Sequence, residues 1–372
     1  MEQRTLGRTG IGVGAVGLGT EYLNGQPRDT VVPLVRDAMD RGVTYIDLFF
    51  GHAPLRDDVG LALRGRRQDA VVAGHLGSAL RGQQYQKTRN AKASETFFLD
   101  LLKRLETDYI DVLMLHFVDL DEEYERVFHH GPLDMAKRFQ REGKARFIGM
   151  SGHNLATAVR AVRSGEIDVL MYPVNPAGAS MPDRDELFRA CVAENVGLVA
   201  MKPFAGGKLL QSGGAVSLGT VHSGWRGLRS EITHALTPVQ CMAYTLEQPG
   251  VTTVVPGVKS TAELVEALRV FEATAAERDL SALRLSPEAF RAMGCVYCNH
   301  CLPCPVEIDI GQTLRLAETG QWSVSEDLRD AYFALGARAS ACTECGACTS
   351  RCPYGVDVIP AMKRAAELFE TP

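Results

Sequence analysis

The chain has 372 residues, 45% of them hydrophobic and 23% charged, and a formal net charge of −5. That length supports one large domain, or a large one with a small appendage, and the charge gives no electrostatic footprint for nucleic acid. The opening "MEQRTLGRTG" lacks the apolar segment of a secretory signal, and no stretch reaches the roughly 18 apolar residues of a membrane span, so a cytoplasmic protein with neither nucleic-acid nor membrane partners is expected.

Short apolar runs recur in chain order: "VGAVGLG" (13–19), "VTYIDLFF" (43–50), "AVVAG" (70–74), "YIDVLMLHF" (109–117), "ARFIGMS" (145–151), "IDVLMYPVN" (167–175), "VGLVAMKP" (196–203) and "VTTVVPG" (251–257). Amphipathic stretches such as "TVVPLVRDAMDRG" and "SETFFLDLLKRLE" lie between them. Buried-type strands alternating with helices predict a parallel sheet, and eight such strands close a (β/α)8 TIM barrel of about 250 residues. We place the barrel at residues 1–280 and a small α-helical and loop domain at 281–372. The glycine-rich stretch 205–235 reads as a long loop after strand seven.

Eight of the ten cysteines fall in two runs: "CVYCNHCLPCP", with Cys295, Cys298, Cys301 and Cys304, and "CTECGACTSRCP", with Cys342, Cys345, Cys348 and Cys352. This is a thiolate-ligand spacing rather than a disulfide pattern. The second run is the CxxCxxCxxxCP of bacterial-type ferredoxins, in which three close thiolates hold one cluster and the fourth reaches the other. By that logic Cys295, Cys298, Cys301 and Cys352 hold one 4Fe-4S cluster, and Cys342, Cys345, Cys348 and Cys304 a second. A pair of zinc sites is the competing reading. Cys191 and Cys241 read as buried small apolar residues.

The stretches "RTLGRTGIGVGAVGLGT", "GVTYID", "LKRLETDYIDVLMLH", "GKARFIGMSGHN", "VGLVAMKPFAGGKL" and "QPGVTTVVPGVKS" resemble the aldo/keto reductase family over residues 1 to about 275. The cysteine-rich tail resembles the branch of that family with a ferredoxin-like C-terminal domain. The resemblance implies a site at the C-terminal ends of the strands, with an aspartate, a tyrosine, a lysine and a histidine. The aspartate falls on Asp47 and the histidine on His116. The tyrosine position falls on His52, or on Phe50 if a gap is allowed, and the lysine position on His75.

Two chemistries suit Asp47, His52, His75 and His116. One imidazole replaces the phenol as general acid, or the set binds iron or zinc. The resemblance also implies an NADP(H) site, partly kept in Ser151, Asn175, Gly257 and Lys259, with Lys202 able to neutralise a phosphate; Met201, Met171 and Ala267 stand where the family has other residues. The segment "SALRGQQYQKTRN" brings Arg81, Tyr85, Lys87 and Arg89 to the reacting face as a clamp for an anionic substrate. His153 reads as a loop residue near the site, and His129, His130, His222, His234 and His300 as surface.

The expectation is an iron–sulfur oxidoreductase that relays electrons between a ferredoxin-like partner and a small-molecule substrate. Two alternatives stand beside it: a nicotinamide-dependent carbonyl reductase with an altered tetrad, and a non-catalytic electron-transfer or sensor protein.

Overall fold

The computed structural model describes residues 1–180, 183–210, 215–217, 229–231, 235–281, 295, 297, 299–320, 324, 326–352 and 356–371. His222, His234 and Cys298, and most of the loop expected at 205–235, lie outside these residues.

Eight parallel strands run in sequence order around the centre: β1 (Leu18–Gly19), β2 (Tyr45–Leu48), β3 (Val71–Leu76), β4 (Ile110–Leu115), β5 (Ala145–Ser151), β6 (Val169–Pro173), β7 (Gly197–Met201) and β8 (Val251–Val255). The last strand returns to the first. Gly17 N donates to Val254 O at 2.8 Å, Val254 N to Ala15 O at 3.0 Å and Gly19 N to Pro256 O at 3.0 Å, which closes the ring. The expected TIM barrel is therefore the observed fold. β3, β4 and β8 are buried at every position, because they face the barrel axis on one side and the surrounding helices on the other.

Side chains alternate between these two faces. Tyr45, Ala73, Met114, Val169, Met171 and Val199 form the inner core, joined by Leu6 and Val13 next to an N-terminal hairpin (Gln3–Thr5 with Gly12–Gly14). Two residues beyond Tyr45, Ala73 and Met114 on the same faces stand Asp47, His75 and His116. The polar set thus occupies the layer above the apolar one, at the mouth. On the outer face Gly74 leaves room for helix packing: a Cβ there would lie 2.4 Å from Leu101 Cδ2.

Helices α1 (Arg28–Asp40), α2 (Ala53–Leu63), α3 (Ala91–Arg104), α4 (Asp121–His129), α5 (Pro132–Arg141), α6 (Leu155–Arg163), α7 (Arg184–Ala193), α8 (Pro238–Leu246) and α9 (Thr261–Leu268) surround the strands. Asn90, Asn154, Thr237 and Ser260 cap α3, α6, α8 and α9, each side chain taking an otherwise unpaired N–H of the first turn.

The segment read as a basic clamp is instead an antiparallel hairpin, Ser78–Arg81 with Gln84–Lys87, between β3 and α3. Two of its three cations serve the fold. Arg89 donates to His116 O and Phe117 O, each at 2.8 Å, and Lys87 pairs with Glu123.

After the barrel come α10 (Ile310–Gly320), α11 (Glu326–Phe333) and α12 (Val358–Glu370). α12 packs on α10, and the Phe369 ring stacks on Tyr332 with centroids 4.3 Å apart. The hairpin anchors this region to the barrel: Gln84 Nε2 donates to Ile308 O at 3.1 Å, and Gln84 Oε1 accepts from Cys304 N. Among the described residues no helix is long and apolar enough to cross a membrane.

Candidate active site at the barrel mouth

Asp47, His75 and His116 meet. His75 Nε2 lies 2.8 Å from Asp47 Oδ1, and His75 Nδ1 lies 2.9 Å from His116 Nδ1. The chain continues to a residue from the hairpin: Tyr85 OH is 2.6 Å from His116 Nε2. All four are buried, Tyr85 at 1% exposure and Asp47, the most open, at 7%. Thr20 fixes Asp47 from the neighbouring strand, its Oγ1 donating to Asp47 O at 2.7 Å. Burial, reinforced by His75 and Arg89, holds the His116 imidazole well below its ordinary range, so it is neutral at pH 7.

His52 does not join them. It precedes α2, and its Nε2 donates to Gln83 O at 2.7 Å. The expectation of a fourth rim histidine is corrected by this partner, because strand β2 ends at Leu48 and the chain has already turned outward. A different histidine takes part. His300, expected on the surface, lines the cavity, with its ring 4.1 Å from Phe117, 5.1 Å from His153 and 6.1 Å from Tyr85 between centroids. Its Nδ1 is buried with no hydrogen-bond partner among the described residues.

The cavity has a volume of about 670 Å³. Asp47, His75, His116, Ser151, His153 and Lys202 form its barrel wall, and Tyr297, His300, Arg315 and Glu318 close it from the C-terminal region. Lys202 stands at the end of β7 in the left-handed region, φ 57°, as does Phe117 beyond β4, φ 50°. Such strained positions gather at functional sites. Lys202 Nζ donates to His153 Nε2 at 2.9 Å, and His153 Nδ1 faces Asp119 Oδ2 at 3.4 Å. Burial, and after it Lys202, lowers the His153 pKa. Glu21, on the same wall, is pushed up to about 7 by burial, with Lys202 opposing.

The residues expected to hold NADP(H) are partly turned inward. Asn175 Nδ2 donates to Lys202 O at 3.1 Å, so that amide is engaged by the protein rather than offered to a ligand. Ser151 Oγ accepts from Phe117 N at 3.0 Å. Tyr22 covers Gly257, where a Cβ would lie 2.4 Å from the ring, and Lys259 Nζ sits 5.5 Å from the centroid of that ring.

The cysteine runs share one backbone pattern. The residues before and after the second cysteine have positive φ in both: Tyr297 at 54° and Asn299 at 58°, Glu344 at 54° and Gly346 at 72°. This winding turns main-chain N–H groups inward, as anionic centres require. Tyr297 N donates to Cys295 Sγ at 3.3 Å and Val356 N to Cys352 Sγ at 3.4 Å. Cys304, Cys342, Cys345 and Cys348 border one cavity with Ile308, Ile310, Val358 and Met362. Among the described residues no three ligating side chains converge as a single metal ion demands. Thiols spaced around an apolar cavity fit the ligand set of an iron–sulfur cluster.

Comparison with known proteins agrees with both halves. The aldo/keto reductase family model matches residues 10–285, and a 4Fe-4S dicluster domain model matches residues 291–356. The chain belongs to the aldo/keto reductase family. It is an oxidoreductase that carries an iron–sulfur domain after the barrel. L-galactose dehydrogenase of Arabidopsis thaliana is 28% identical over 229 residues, 57% of this chain and 68% of that one. The aldo-keto reductase YhdN of Bacillus subtilis is 28% identical over 164 residues, 42% of this chain and 48% of that protein. Among solved structures, an aldo-keto reductase of Bacillus halodurans in its holo form superposes with a TM-score of 0.60 at 22% identity, covering 75% of this chain and 94% of that one. The Klebsiella pneumoniae enzyme in complex with NADP and acetate gives 0.54 at 20%, covering 74% and 93%.

Proposed function

We propose that the protein is an iron–sulfur oxidoreductase in which a small-molecule substrate binds in the cavity at the barrel mouth, with protons handled by Asp47, His75 and His116 and electrons delivered from the cysteine-run side. One observation carries this reading: the same cavity is walled by the Asp47–His75–His116 chain and by Tyr297 and His300, which belong to the first cysteine run. The division into residues 1–280 and 281–372 is part of the proposal, as is an external electron carrier of ferredoxin type.

Cys295, Cys298, Cys301 and Cys352 would hold one 4Fe-4S cluster, and Cys304, Cys342, Cys345 and Cys348 the other; such clusters supply single electrons when bound. The chain's own groups do the rest. Lys202, beside His153, offers a positive charge to an anionic substrate, and His300 Nδ1 offers a hydrogen bond that no described residue takes up. Apolar Phe49, Phe117 and Met201 exclude water from the same volume.

A second reading, NADP(H)-dependent carbonyl reduction, is favoured by the cavity's size and by the neighbours solved with NADP. Anaerobic protein tests the pair. Iron and sulfide analysis is expected to account for two clusters, and iron or zinc beyond the sulfide-matched amount would place a metal in the barrel. Bleaching of the cluster absorbance by dithionite or a reduced ferredoxin, with none by NADPH, is the expected result; bleaching by NADPH favours the second reading. Absence of iron and sulfide would refute the first.

A further inference from the structure

The hydrogen-bond chain constrains protons as well as positions. A neutral imidazole has one N–H and one lone pair, and each of the four ring nitrogens of His75 and His116 already has a partner: Asp47 Oδ1, the facing Nδ1 in each ring, and Tyr85 OH, with Ser151 Oγ also 3.5 Å from His75 Nδ1. The Nδ1···Nδ1 contact takes one proton. If the Tyr85 phenol donates to His116 Nε2, the His116 proton lies on Nδ1 and is donated to His75 Nδ1. His75 then carries its proton on Nε2 and donates it to Asp47 Oδ1. No imidazole nitrogen is left for a ligand. Asp47, whose Oδ2 makes no hydrogen bond among the described residues, lines the cavity.

We propose that Asp47, through Oδ2, exchanges the proton with the substrate, and that Tyr85 is a positioning residue that fixes the tautomers of His116 and His75 behind it. The inference rests on the proposed function and revises its proton donor from imidazole to carboxyl. In the transfer a proton leaves the substrate and bonds to Asp47 Oδ2 while Oδ1 keeps the N–H of His75, and the reverse step returns that proton to the substrate. Tyr85 supplies a phenol from the hairpin after β3 rather than from a strand end.

Two measurements on the full chain with oxidised clusters test this without a known substrate. Long-range 1H–15N correlation of histidine-labelled protein should show His116 as the Nδ1–H form and His75 as the Nε2–H form. Y85F should lower the preference for the Nδ1–H form of His116 by roughly 5–10-fold, the worth of one hydrogen bond. In parallel, a water-soluble carbodiimide with a glycine ester should couple to Asp47, while diethyl pyrocarbonate, which needs a free nitrogen lone pair, should spare His75 and His116 and acylate His116 only in Y85F. Wild-type His116 as the Nε2–H form, acylation of either imidazole in wild type, or an unmodified Asp47 would overturn the proposal. The wild-type results decide even if Y85F fails to fold. Cluster content and reducibility are read separately, so failure here is distinct from failure of the proposed function.

Discussion

The two walls of the cavity are built on opposite principles. The barrel wall comes from strand ends, where the two-residue period puts Asp47, His75 and His116 one layer above Tyr45, Ala73 and Met114, and these three side chains bond to one another. The other wall comes from cysteine loops with paired left-handed residues, and it leaves His300 Nδ1 unpartnered. Backbone hydrogen bonding fixes the first wall before any ligand arrives. The geometry of the second depends on what its thiols bind. In the proposed function, proton chemistry falls on the rigid side and electron entry on the side a cofactor organises.

The largest separation of the two walls is expected from Cys304→Ser. Although Cys304 belongs to the first run, it borders the cavity of Cys342, Cys345 and Cys348. The variant should lose about half of its iron and sulfide, and the electron paramagnetic resonance signal lost should match the one lost in Cys345→Ser. Matching to Cys298→Ser instead would break the crossed assignment. On the barrel side, His116→Ala strands Tyr85 OH and His75 Nδ1 and opens a void. A loss of about 2–5 kcal/mol in denaturant unfolding is expected, with cluster absorbance retained; an unchanged midpoint would show that the chain does not hold the wall.

Much of this contrast was legible in the sequence. Eight alternating runs gave the barrel, because strands buried on both faces read as continuous apolar segments. The meeting of Asp47, His75 and His116 at the mouth is legible because strand ends are countable from such runs. The cysteine spacing named the iron–sulfur domain. Tyr85 was assigned to a clamp because "SALRGQQYQK" was read as loop, although its alternation about Gly82 is a hairpin signal. His300 was set aside as surface for lack of a partner motif, yet its place between Cys298 and Cys301 ties it to whichever surface the cluster loop docks on. That docking is a tertiary fact with no local signature. His52 precedes α2 and bonds Gln83 O, a placement that counting residues past the end of β2 does not reveal.

Glu21 supplies a pH test of the barrel wall. Its carboxyl is raised from 4.5 to about 7, chiefly by burial, and its Oε1 has no partner among the described residues. The folded state therefore holds this proton more tightly than the unfolded state. Stability from this group is full below about pH 4.5, falls as pH rises through 7, and is flat above. Glu21→Gln should remove that slope, gaining up to about 3 kcal/mol on wild type at pH 8 and little at pH 4.5. Equal gains at both values would mean that burial does not govern this carboxyl.

The smallest effect tests the connection between the walls. Gln84 bonds Cys304 N and Ile308 O with one amide, and its neighbour Tyr85 reaches His116. Gln84→Ala removes both bonds to the iron–sulfur region without touching the cavity, at a cost of about 1–2 kcal/mol. Hydrogen exchange should rise at residues 304–310 and along the hairpin while the barrel strands stay protected. If exchange rises at the cysteine loops alone, the hairpin is held by the barrel and the walls are independent. If His116 also loses its single tautomer, docking of the iron–sulfur region is transmitted through two adjacent residues to the proton chain.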